Sequence, residues 1–221
     1  MHATQTGHLL LVAGPGGAGK VAFMQLLRCG LLPKEFSELL PENCADWPQA
    51  SIRAVAGRGR HDGVPLQLIA GYDIMRPLTL GVRDYASDPL LAAITSRRTA
   101  TTVVTLSAPA NDLIDHYMTR AAELESEHAG SFRQLRHKAK VSLYRLTGSR
   151  WVLLGRKRAK LVTLYAQQGA LEHWLFRWSE YLSRLYQENA LKAKQPMRLI
   201  SAARCNPAHG AMSFRLLSVA D

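Results

Sequence analysis

The heptapeptide Gly14-Pro15-Gly16-Gly17-Ala18-Gly19-Lys20 constrains this chain more than any other feature. A short apolar run, HLLLVA over residues 8–13, leads into it, and KVAFMQLLRCGLL, residues 20–32, leads out. The first reads as a buried strand, because it is brief, apolar and ended by glycines. The second reads as a helix that turns Phe23, Leu26, Leu27 and Cys29 or Gly30 toward a sheet. Glycines between a strand and a helix let successive backbone N–H groups turn inward around an anion, and the helix start adds partial positive charge. Gly14, Gly16, Gly17, Ala18, Gly19, Lys20 and Val21 are therefore the expected phosphate-binding set, with Lys20 reaching the outer phosphates. The alternative is a glycine-rich surface turn beside a solvated lysine.

The remaining pattern alternates strands with helices. Residues 64–72 (VPLQLIAGY) form a second buried-strand candidate ending at Asp73, and residues 100–107 (ATTVVTLS) are a β-branched strand. Asp88-Pro89 opens a helix over residues 89–98, and Asn111 or Asp112 caps another that runs to about Glu127. Helical periodicity returns over residues 131–146, breaks at Thr147-Gly148-Ser149, and resumes over residues 170–193. There Leu171, Trp174, Leu175, Trp178, Leu182 and Leu185 recur at three-and-four spacing, as a core face or an interface does. Residues 197–203 and 212–219 read as two closing strands. This order predicts an α/β fold, a three-layer domain over residues 1–221 with a mostly parallel sheet.

Charge separates one segment from the rest. The chain carries 28 Lys and Arg against 17 Asp and Glu, a net charge of +11, and 20 of the cations are arginine. Between Glu127 and Glu172 there is no acidic residue, whereas Arg133, Arg136, Lys138, Lys140, Arg145, Arg150, Arg156, Lys157, Arg158 and Lys160 all fall there. Such a stretch faces a polyanion or is a solvated basic surface. Residues 128–160 are read as a basic, lid-like insertion, with Arg133 and Arg136 three apart on one helix face. Three scattered cysteines, Cys29, Cys44 and Cys205, have neither disulfide-framework nor zinc-knuckle spacing. No apolar run reaches the length of a membrane span, and the expected setting is the reducing cytoplasm.

With strand, GxxxxGK loop and helix in order, residues 8–30 resemble the P-loop NTPase superfamily, in particular its small-molecule kinases. A looser likeness extends to about residue 127, since ATTVVTLSAPANDLIDHYMTR looks like a strand–turn–helix of such kinases. The resemblance implies a nucleoside triphosphate, ATP or GTP, with Mg²⁺, and an arginine-bearing lid over the phosphates. It places Arg120, near the end of the helix after residues 100–107, among the nucleotide-binding residues. It makes Arg133 and Arg136 transition-state cations, and Asp73 a carboxylate that holds Mg²⁺ or accepts a proton from the acceptor hydroxyl. Asp73 has a plainer alternative, capping the segment that follows. Asp62 and Asp84 are lesser candidates for the same roles, and Arg76 and Arg83 for clamping an anionic acceptor.

One residue departs from the family pattern. The hydroxyl residue that follows the lysine and ligates Mg²⁺ is Val21 here, and valine cannot coordinate a metal. Three explanations compete: a metal held only by a downstream carboxylate, a binder that no longer turns over, or a ligand that needs no metal. The leading expectation is a phosphotransferase acting on a small metabolite or nucleotide, its acceptor anionic or hydroxylated. A sulfotransferase-like enzyme using a sulfonucleotide is the metal-free alternative. A non-catalytic nucleotide- or nucleic-acid-binding protein, using the acid-free segment, is the third.

Overall fold

Leu9, Leu10, Leu11, Val12 and Ala13 are each at most 1% exposed, so the first strand must be covered on both faces and flanked on both edges. The computed structural model describes residues 7–51, 67–75, 84–88, 91, 100–123, 139–140, 142–143, 146–147, 150–191, 196–205 and 212–220. Its strands are β1 (His8–Gly14), β2 (Gln49–Ser51), β3 (Gln67–Asp73), β4 (Ala100–Ser107), β5 (Met197–Cys205) and β6 (Ser213–Ala220). They form one six-stranded sheet in the order β2-β3-β1-β4-β5-β6. Every neighbouring pair is parallel except β5 and β6, which are antiparallel. The protein is thus α/β with a mostly parallel sheet, and β1 lies inside it between β3 and β4.

The described helices include α1 (Lys20–Arg28), α2 (Lys34–Leu39), α3 (Ala110–Glu123), α4 (Arg150–Tyr165) and α5 (Ala170–Leu191). By internal contacts the chain divides into two compact units, Met1–Ala108 with Trp174–Asp221, and Pro109–His173. The first unit contains the whole sheet. Adjacent residues on a strand face opposite ways, and Gly71 and Tyr72 of β3 show which helix covers which face. A Cβ on Gly71 would lie 3.7 Å from the Met24 methyl of α1, whereas Tyr72 stacks on Trp178 of α5 with ring centroids 5.4 Å apart. α1 and α5 therefore cover opposite faces of the sheet, giving three layers.

Each layer is held by large side chains. Trp178, only 1% exposed, stacks on Tyr72 and Tyr181, meets Tyr85 edge-on, and donates its indole N–H to Thr105 Oγ1 at 3.0 Å. Burying one such indole contributes on the order of 3 kcal/mol. On the other face Phe23 of α1 meets Phe36 and Phe214 edge-on at 5.5 and 5.1 Å. In the second unit Leu154, Ala159 and Val162 of α4 are buried against Ile114, Tyr117 and Met118 of α3.

Two helix ends differ from the sequence pattern: α1 stops early, and α3 starts at Ala110, so that Asn111 and Asp112, the expected caps, lie inside its first turn. α1 ends at Arg28 rather than near residue 32, because Gly30 takes a left-handed conformation with φ 66°. Gly30 N–H donates to the Leu27 carbonyl and Leu31 N–H to the Leu26 carbonyl, a paired C-terminal cap that stops the helix. Cys29 and Gly30 are consequently exposed, and Met24 joins Phe23 and Leu27 on the buried face. Of the strand expected over residues 64–72, residues 64–66 lie outside the described residues, and the remainder is β3, which ends at Asp73 as expected. β2 has no counterpart in the sequence pattern, since a three-residue edge strand carries no readable alternation.

Candidate functional site

The glycine loop leaves β1 at the place where strand order reverses, with β2 and β3 on one side and β4 to β6 on the other. In open α/β sheets this is the crevice where ligands bind, outside the carboxyl ends of the strands. Gly14 is the register partner of Asp73, and its carbonyl accepts the N–H of Ile74 at 3.2 Å. A Cβ on Gly14 would stand 2.6 Å from the Leu106 carbonyl oxygen, so the close approach of β4 admits only glycine there.

The loop then turns at Ala18, whose N–H donates to the Pro15 carbonyl at 3.2 Å. Gly17 and Gly19 both have φ 88°, a left-handed conformation costly for other L-residues. Gly19 is the N-cap of α1, and no side chain caps the helix start, nor does its first turn hold an acidic residue. The first N–H groups of a helix have no intrahelical partner, and together with the dipole they attract an anion. Lys20 opens the helix. Its Nζ donates to the Gly14 carbonyl at 2.7 Å and to the Pro15 carbonyl at 2.8 Å. Burial lowers the pKa of this ammonium, and the nearby Asp73 carboxylate opposes that shift.

Asp73 ends β3, beside the loop. Its Oδ1 accepts the Met75 N–H at 3.0 Å, which is the capping role weighed as its plainer alternative. Asp84 caps a turn through a 2.8 Å bond from the Ser87 N–H, which also lowers its pKa. Val21 projects an apolar side chain that is 62% exposed. Among the described residues no group of three His, Cys, Asp or Glu side chains converges as a metal site would. The residues present therefore fit phosphate oxygens at the loop, and do not supply the hydroxyl ligand that the family pattern gives to Mg²⁺.

Arg133 and Arg136 lie outside the described residues, as do Asp62, Arg76 and Arg83. Arg120 sits on α3, and its side chain is also outside them. Of the basic segment, Lys140, Arg158 and Lys160 are exposed.

The structure adds three residues that the sequence pattern did not single out. Arg204, near the carboxyl end of β5, donates from Nη1 to the Gly17 carbonyl. Met212 Sδ and the Phe214 ring occupy the space beside Gly19, where a Cβ would lie 2.7 and 3.1 Å from them. Arg204 and Phe214 belong to the last strand pair and Met212 directly precedes β6, and Arg204 is 187 positions from Gly17 in sequence. No local signal in the sequence marks them.

Compared with known proteins, the chain matches no family model and no curated protein sequence.

Proposed function

We propose that this protein is a nucleotide-binding P-loop phosphotransferase that uses ATP or GTP and acts on a small metabolite or nucleotide acceptor. One observation carries the reading: a part-buried lysine whose ammonium is fixed on the Gly14 and Pro15 carbonyls, at an uncapped helix start, in a loop with left-handed glycines. In this reading the loop N–H groups hold the β-phosphate, and Lys20 neutralises charge on the phosphoryl group in transfer. Asp73, beside Gly14, orients the acceptor hydroxyl or takes its proton. Arg133 and Arg136 are assigned to charge neutralisation from the lid, and Arg120 to the nucleotide phosphates. Mg²⁺, where it contributes, accompanies the nucleotide with Asp73 as its protein carboxylate.

Val21 supports a second reading. An exposed valine where a metal-binding hydroxyl belongs favours a donor handled without metal, such as a sulfonucleotide transferring a sulfuryl group.

Thermal stabilisation by ATP, GTP, ADP and a sulfonucleotide, each with and without Mg²⁺, separates the two. A ligand at 100 times its dissociation constant adds about 2.7 kcal/mol, which for a chain of 221 residues raises Tm by several degrees. Stabilisation by ATP or GTP that is lost in Lys20→Ala supports the phosphotransferase. Stabilisation only by the sulfonucleotide, indifferent to Mg²⁺, supports the second reading. No stabilisation by any of them removes both.

A further inference from the structure

Arg198 and Arg204 lie six positions apart on β5, and each reaches a backbone carbonyl in a distant segment. Arg198 Nη1 donates to the Leu39 carbonyl at 2.7 Å, at the amino end of the strand. Arg204 Nη1 donates to the Gly17 carbonyl, at the carboxyl end where the glycine loop lies. The two contacts are alike in kind and differ in what they hold. Leu39 closes α2, whereas Gly17 belongs to a loop whose peptides turn at low cost, because glycine populates both signs of φ.

We propose that Arg204 is a positioning residue for the anion-binding loop; this rests on the phosphate-loop reading above. The bond from Arg204 commits the Gly17 carbonyl to β5, so that it cannot swing into the loop mouth and present negative charge to a phosphate. The other end of the same peptide, the Ala18 N–H, is held by the Pro15 carbonyl at 3.2 Å. Met212 and Phe214 complete the support by filling the space beside Gly19, and Phe214 in turn packs on Phe23 of α1 at 5.1 Å. The β5–β6 pair is thus the shelf on which the loop rests. Arg204 acts on phosphate through the loop and need not touch it. The ligands in question are compounds with a diphosphate group, the shortest being inorganic pyrophosphate.

The test is pyrophosphate and ATP affinity by calorimetry on the full chain, for the wild type and for Lys20→Ala, Arg204→Met, Arg204→Lys and Arg198→Met. Each variant is checked by circular dichroism and by Tm without ligand. Arg204→Met is expected to lose about tenfold in affinity, and Arg204→Lys to recover most of it, since one charged N–H donor to a carbonyl suffices. Arg198→Met loses comparable stability and keeps wild-type affinity, a split that general destabilisation does not produce. Should Arg204→Met fail to fold, Arg204→Gln replaces it, retaining a neutral donor, with an intermediate loss expected. If wild type binds and Lys20→Ala does not, while the Arg204 variants bind like wild type, the positioning role falls and the phosphate-loop reading stands. Equal affinity loss in Arg198→Met and Arg204→Met also overturns it. If wild type binds neither ligand, both fall together.

Discussion

The Nζ of Lys20 donates to the Gly14 carbonyl at 2.7 Å, and Asp73 is the strand partner of that same glycine. Cation, loop and carboxylate are therefore tied to one residue at the end of the central strand. Because burial disfavours its charged form, Lys20 releases its proton at a lower pH than a solvated lysine does. With the folded pKa below the unfolded one, the ligand-free protein carries a penalty while Lys20 is charged. That penalty is relieved as pH rises from the folded toward the unfolded pKa. Anion affinity runs the other way and falls over the same range. Asp73→Asn removes the field that opposes the shift, so the midpoint of this loss moves to lower pH. Pyrophosphate affinity followed against pH in the two proteins reads the midpoint; identical midpoints refute the coupling.

Glycine replacements separate conformational strain from loss of space. Gly30 is left-handed with φ 66° and has open space around its Cβ position, so Gly30→Ala costs only the backbone term, about 1 kcal/mol. Gly19→Ala adds a 2.7 Å approach to Met212 Sδ and a 3.1 Å approach to the Phe214 ring. It is expected to be the more destabilising of the two in urea unfolding and to weaken phosphate binding, while Gly30→Ala leaves binding intact. Equal effects on both properties would contradict this assignment.

Trp178 is expected to dominate the face opposite α1. Trp178→Ala empties a site 1% exposed and lined by Tyr72, Tyr85 and Tyr181, at a cost of about 3–5 kcal/mol. Trp178→Phe keeps a ring but orphans the Thr105 hydroxyl, costing about 1–3 kcal/mol. Denaturant unfolding of both variants checks the order, and a Phe variant no less stable than wild type would remove the hydrogen bond from the account.

The cysteines should react in order of exposure. Cys29 is exposed, Cys205 is half-buried, and burial pushes the Cys44 thiol up to about 11. Alkylation near pH 8 with peptide mapping is expected to label Cys29 first and Cys44 only after unfolding, since the thiolate is the nucleophile. Linkage adds a stability effect. The unfolded thiol ionises near 9.0 and the folded one near 11, so native stability declines as pH climbs between them. Early labelling of Cys44 in native protein would count against its burial.

How far the sequence led depends on how local each feature is. Strand, loop and helix through Arg28 are contiguous, so apolar run, glycine spacing and periodicity were enough to place them. The end of α1 needed the conformation of Gly30, which composition does not state. Asp73 was legible as the end of a strand; that this strand lies next to β1 was not, because strand order is set by crossovers and not by any one segment. Arg204 was invisible for the same reason: its partner, Gly17, is supplied by folding. The aromatic pattern of residues 170–193 read as core or interface, and Trp174, Trp178 and Leu182 are buried in α5.

The antiparallel strand β6 also has a practical consequence for handling the protein. Because β6 runs against β5, Ser213 pairs with Cys205 near the glycine loop, whereas Ala220 pairs with Leu199 toward the other edge of the sheet. β1 enters at that far edge as well, where His8 pairs with Ala100. A tether introduced just beyond β6 leaves from the rim opposite the glycine loop, so the molecule can be held there without modifying that loop.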